Sequence, residues 1–102
     1  MNEVQIQGVQ DGKLLISLKG DIDSGNAESF YAEVIAAYET TPCALLFDCK
    51  DLEFIDSTTL GTFVKILKRV KADGYQMTLV GLQAKIKKLF VICSLDSIME
   101  IA

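Results

Sequence analysis

The sequence predicts an α/β domain, a mixed and mostly parallel β-sheet with an antiparallel start, packed against α-helices in the order ββαβαβαβ. Three observations carry this reading. The first 19 residues alternate in the manner of strands around Asp11-Gly12; three later segments repeat apolar residues with a helical period; and short continuous apolar runs separate those segments. Strands alternating with helices imply right-handed crossovers between parallel neighbours.

Val4, Ile6 and Val9 form the first strand, and Leu14, Leu15, Ile16 and Leu18 the second. Asp11-Gly12 between them is a hairpin signal, because the tight turn needs positive φ and glycine supplies it at no steric cost. After "GDIDSG" the period changes, and Ala27, Phe30, Tyr31, Val34, Ile35 and Tyr38 share one helix face. Asn26 is the expected N-cap, with Glu28 complementing the dipole in the first turn. "CALLFDC" reads as a central parallel strand buried on both faces, and Leu52, Phe54 and Ile55 carry the chain to Asp56. From Thr58 to about Asp73 a second helix turns Leu60, Phe63, Val64, Leu67 and Val70 inward and Lys65, Lys68 and Arg69 outward, and Gly74 stops it. "MTLVG" is a further strand. Gln83 to Ser94 reads as a third helix, with Ile86, Leu89, Phe90 and Cys93 inward and Lys85, Lys87 and Lys88 outward; "SIMEIA" is a terminal strand or docking tail.

Composition narrows the function. Residues 1–102 are the size of one domain, and with 50% hydrophobic residues they can build a core without staples. A net charge of -4 lacks the basic footprint that nucleic acid requires. No leader pattern or membrane-length apolar stretch is present, so a cytoplasmic protein without membrane contact is expected, monomeric or at most a weak dimer. Cys43, Cys49 and Cys93 are an odd count with no C-x-x-C spacing, and the chain has no histidine, so they are expected to be reduced, mostly buried thiols rather than metal ligands. Without histidine there is no ordinary catalytic triad, and neither a P-loop nor G-x-G-x-x-G is found. No enzymatic activity, metal or cofactor is expected. The acids Asp21 and Asp23, and Asp48, Asp51 and Asp56, fit turns and caps. An Mg²⁺-dependent aspartyl-phosphate receiver is the rival reading, but receivers begin β-α, whereas here two strands precede any helix.

In "FIDSTTLG", Phe54 to Gly61, Ser57 stands at a helix entry, where a serine commonly caps the helix by accepting a backbone N–H bond. The same place tolerates a phosphate, whose charge of about -1.5 to -2 meets the positive helix end. The two readings are compatible. Thr58 and Thr59, β-branched and helical, are expected to be structural rather than alternative acceptors.

At these residues the chain resembles the STAS domain family, and within it the bacterial anti-sigma factor antagonists of the SpoIIAA type. Gly20-Asp21-Ile22-Asp23 matches the family's "G-[DE]-[IL]-D", and "DCKDLEFIDSTTLG", Asp48 to Gly61, matches its "D-L-S-x-[VL]-x-F-[IM]-D-S-[ST]-G-L-G". The resemblance spans essentially the whole chain and implies a STAS-like fold and a phosphorylation-switched binding module. Ser57 matches the serine phosphorylated by an anti-sigma factor that is also a serine kinase. When unphosphorylated, such an antagonist binds that kinase and releases its sigma factor. Asp23 matches a position facing the kinase and its nucleotide, and Asp56 the acid before the serine. The implied partner-binding set is Asp21, Asp23, Ser24, Asn26, Asp56, Ser57, Thr58, Thr59 and Gly61, with a PP2C-type phosphatase resetting the switch. The alternative is a STAS scaffold or regulatory subunit of a sensory or transport complex. Thr59 replaces the family's usual glycine and is expected to crowd the helix entry, and Cys49-Lys50 replaces Leu-Ser. Many members continue into a further C-terminal helix, so one sheet face is expected to be less covered here.

Overall fold

The structure, a computed structural model, describes residues 3–102; residues 1 and 2 of the expected domain lie outside the described residues. The elements are β1 (Val4–Gln10), β2 (Lys13–Ile22), α1 (Ala27–Thr40), β3 (Ala44–Ile55), α2 (Ser57–Ala72), β4 (Met77–Val80), α3 (Ala84–Ile92), a 3₁₀ turn (Leu95–Ser97) and β5 (Glu100–Ile101). The predicted order is therefore observed. At the hairpin, Asp11 (φ 53°) and Gly12 (φ 77°) are both left-handed, as a two-residue turn between twisted strands requires.

The five strands lie in the order β1-β2-β3-β4-β5, with β1 antiparallel to β2 and every later pair parallel. That order dictates the layering. Each right-handed crossover steps to the next strand in the same direction, so all three helices fall on one face. Ile16, Leu18, Leu45, Phe47, Cys49, Met77 and Leu79 are buried against the helices, whereas Leu15, Ser17, Leu46, Asp48, Thr78 and Val80 on the opposite face are only half-buried. β3 is thus central and parallel, as expected, but it is not buried on both faces. Its apolar run reflects one covered face and one half-shielded by neighbouring strands.

An aromatic cluster joins the two layers. The Phe63 ring meets Phe30 at 5.3 Å, Phe47 at 5.5 Å and Phe90 at 5.5 Å between centroids, each edge-on. One ring from each helix thus joins the cluster, those of α1 and α2 meeting Phe47 of the central strand, and such pairs add about 0.5–1.5 kcal/mol beyond the area they bury. In α2 the inward stripe is Leu60, Phe63, Ile66, Leu67 and Val70, with Val64 half-buried.

Expectations for the helices and thiols are corrected in part. α3 ends at Ile92, so Cys93 is exposed beyond it, and Leu89 stands 37% exposed because only Ile86 and Phe90, one turn apart, face the sheet. Cys49 is buried and Cys43 half-buried. The second helix begins at Ser57 rather than Thr58. No helix among the described residues is long and apolar enough to cross a membrane.

Candidate functional site

β2 and β3 are parallel and end in step, Ile22 opposite Ile55. The loops that leave them, Asp23 to Asn26 and Asp56, are therefore neighbours although about thirty residues separate them in sequence. Each leads directly into a helix, so the positive ends of α1 and α2 open onto the same rim of the sheet. With the strands in unbroken order, the sheet among the described residues has no topological switch point. The rim is a surface, suited to a docking partner more than to an enclosed small molecule.

The first loop is held internally. Asp23 Oδ1 accepts from the Gly25 N–H at 2.8 Å, and the Asp23 carbonyl accepts from the N–H groups of Asn26 at 3.1 Å and Ala27 at 2.8 Å. Asn26 occupies the cap position as expected, but its side chain makes no capping bond. It folds back instead, Oδ1 accepting from the Asp23 N–H at 2.8 Å and Nδ2 donating to the Asp21 carbonyl at 2.9 Å. Asp21 itself still belongs to β2, exposed and in register with Phe54.

At the second loop the cap is Asp56, not Ser57. Asp56 Oδ1 accepts from the Thr59 N–H at 3.1 Å, and Thr59 Oγ1 accepts in return from the Asp56 N–H at 3.4 Å, a reciprocal capping box. The other carboxylate oxygen of Asp56 crosses to the first loop and accepts from the Ser24 N–H at 2.9 Å. The Thr59 amide above all, with those of Ser24 and Thr58 and the Thr59 hydroxyl, holds the Asp56 carboxyl below its ordinary value against partial desolvation. Asp56 is therefore charged throughout the physiological range.

Ser57 is left free of structural duty. It is the first residue of α2, exposed, and its hydroxyl makes no hydrogen bond among the described residues. Thr58 and Gly61 are also exposed on this end of α2, whereas Thr59 is fully buried. Its hydroxyl shares one proton between two acceptors, the Ile22 carbonyl at the end of β2 and Asp56 Oδ1 at 3.1 Å. Of the residues predicted to contact a partner, Asp23, Ser24, Asp56 and Ser57 are drawn together across the two loops. Asp21, Asn26, Thr58 and Gly61 flank them, and Thr59 lies beneath the surface. The crowding expected of threonine at this position is resolved by turning it inward.

Phe54, which the sequence places only in the strand leading to Asp56, stands 50% exposed on the rim beside Asp21. Its signal was a large aromatic between Glu53 and buried Ile55, where a register shift between Gly20 and Asp21 breaks strand alternation. A groove of about 610 Å³ also runs between α1 and α2 and reaches the rim at Ser24 and Thr58, lined further by Tyr31, Ile35, Thr62 and Lys65 among others. Tyr31 and Ile35, predicted on the inward face of α1, are half-buried and form its wall.

Comparison with known proteins follows the same lines. The model of the STAS domain family matches residues 3–102. The anti-sigma-B factor antagonist of Listeria monocytogenes is 31% identical over 87 residues, 84% of this chain and 75% of the relative. That of Bacillus subtilis is 29% identical over 92 residues, 90% of this chain and 84% of the relative. The structure of the Bacillus cell fate determinant SpoIIAA in its phosphorylated form superimposes with a TM-score of 0.75 at 21% identity, covering 97% of this chain and 90% of that one.

Proposed function

The chain belongs to the STAS domain family, and from that premise we propose that it is a cytoplasmic anti-sigma factor antagonist switched at Ser57. Unphosphorylated, it binds an anti-sigma factor that is also a serine kinase, through the rim built by Asp21, Asp23, Ser24, Asn26, Asp56, Thr58 and Gly61, and so releases a sigma factor for transcription. The kinase phosphorylates Ser57 and a PP2C-type phosphatase restores it. The domain itself contributes a surface and an acceptor hydroxyl rather than catalysis.

The observation that carries this reading is the division of labour at the entry to α2. Asp56 caps the helix, leaving the Ser57 hydroxyl exposed and unbonded at the centre of the rim. A phosphate there would lie at the positive end of α2, so the fold tolerates it. It would also add about -1.5 to -2 charge where a partner must approach, and like charges juxtaposed in an interface cost several kcal/mol. Two anti-sigma-B factor antagonists among the relatives support the sigma-factor role.

The test uses a recombinant anti-sigma kinase with Mg-ATP. Ser57→Ala is expected to bind without being labelled, and Ser57→Asp to bind at least about tenfold more weakly, roughly 1.4 kcal/mol. Labelling confined to Thr58 or another residue, or wild-type binding by Ser57→Asp, overturns the mechanism and leaves a scaffold role in its place.

A further inference from the structure

Among the described residues Thr59 and Thr62 are buried threonines, and they behave differently. Thr62 donates to the Thr58 carbonyl one turn back at 3.0 Å, a bond within its own helix. Thr59 reaches out of its helix. Its hydroxyl donates to the Ile22 carbonyl, the last of β2, and accepts from the Asp56 N–H, while its own N–H holds Asp56 Oδ1. The second oxygen of that carboxylate holds the Ser24 N–H. One side chain therefore ties the end of β2, the entry of α2 and, through Asp56, the loop before α1 into a closed circuit.

We infer that Thr59 is a positioning residue. By fastening α2 to β2 it fixes the spacing between Ser24 and Ser57, so that a docking partner meets the two loops as one preset surface. A flexible pair of loops would have to be ordered on binding, and that cost would raise the concentration of protein needed for recognition without altering the chemistry at the hydroxyl. The acceptor-side readout rests on the proposed role of Ser57; the loop-side readout does not.

Thr59→Val keeps the shape and loses the hydroxyl, as donor to Ile22 and as acceptor from Asp56, and Thr59→Ser keeps the hydroxyl and loses a methyl group. Hydrogen exchange at the Ser24 amide is expected to be roughly tenfold faster in Thr59→Val, the loss of about one hydrogen bond's worth of protection, and near wild type in Thr59→Ser, with β4 amides as the control for global opening. With a kinase that labels Ser57, KM for the antagonist is expected to rise roughly tenfold in Thr59→Val with kcat within about twofold, and to return in Thr59→Ser. Unchanged Ser24 exchange in Thr59→Val overturns the inference, as does a Thr59→Ser variant as fast as valine, which would make the methyl contact the cause. Thr59→Ala serves if valine does not fold. If no kinase labels Ser57, the proposed function falls while the exchange comparison still decides whether Thr59 couples the loops.

Discussion

At Asp56 one carboxylate serves two loops, and its chemistry follows from what donates to it. Two backbone N–H groups, from Thr59 and Ser24, favour the charged form, so its folded pKa lies below the ordinary 3.8. A carboxyl depressed on folding contributes stability that is present above its unfolded pKa and lost as pH falls through its folded one. Asp73 is lowered too, chiefly by the Tyr38 hydroxyl, so the acid limb has two contributors. Asp56→Asn is therefore expected to lower stability at pH 7 and to flatten, without abolishing, the loss below pH 4. Urea titrations of both proteins between pH 7 and pH 3 check this; an Asp56→Asn curve parallel to wild type would show that the two amides do not depend on its charge. Sequence reading placed Asp56 before the serine but gave the cap to Ser57. The forward bond to Thr59 is a local cap three residues on, but the bond across to Ser24 follows only once β2 and β3 are known to end in step, a long-range register that no local pattern encodes.

At the scale of elements, α1 and α2 are joined at the end remote from Ser57. The Tyr38 hydroxyl donates to Asp73 Oδ2 at 2.6 Å; Arg69 bridges Glu39 at 3.0 Å and Asp73 at 3.4 Å and lies 5.5 Å from the Tyr38 ring centroid. Nearer the site, Lys65 sits 4.3 Å above the Tyr31 ring. The ion pairs are partly exposed and contribute little individually. Tyr38 matters more, because its ring is fully buried. Burial first, then the bond to Asp73, pushes its pKa from 10.0 to about 12. A raised folded pKa means stability complete below about pH 10 and lost as pH rises through about 12. Cys49 contributes in an overlapping window, since burial, then Asp48, lifts its thiol from 9.0 to about 12. Tyr38→Phe is expected to shallow the alkaline fall by up to one proton's slope, about 1.4 kcal/mol per pH unit, while Cys49 retains the rest. Denaturant unfolding at pH 9 to pH 12 measures it, and an unchanged slope would remove Tyr38 from the account. The helices were legible from their period, but their partners were not. Tyr31 and Ile35 matched the inward face of α1 and instead line the groove beside α2, because neighbouring helices share an intermediate face that periodicity alone cannot separate from the core.

For the molecule as a whole, the unbroken strand order explains the one-sided helix layer and the opening of both helix N-termini onto one rim, where the candidate site lies. Element types followed from the sequence because hydrophobic period is local. Which face is covered did not, since a continuous apolar strand reads alike whether the second face meets helices or only its neighbours' side chains. The cysteines carry the same distinction into an experiment. All three look like small core residues in the sequence, yet Cys49 is buried on the covered face of β3, Cys43 is half-buried just before that strand, and Cys93 is exposed past the end of α3. Thiolate is the reactive form, and burial keeps Cys49 protonated. Under native conditions at pH 8, iodoacetamide is expected to modify Cys93 first and Cys43 more slowly, with Cys49 reacting only through global unfolding. Mass mapping over time tests the order. The rate at Cys49 should rise with added urea in proportion to the unfolded fraction, whereas the rate at Cys93 should scarcely change. Rapid native modification of Cys49 would mean that the β3 face opens locally, and the one-sided core would then lack the closure that its layering predicts.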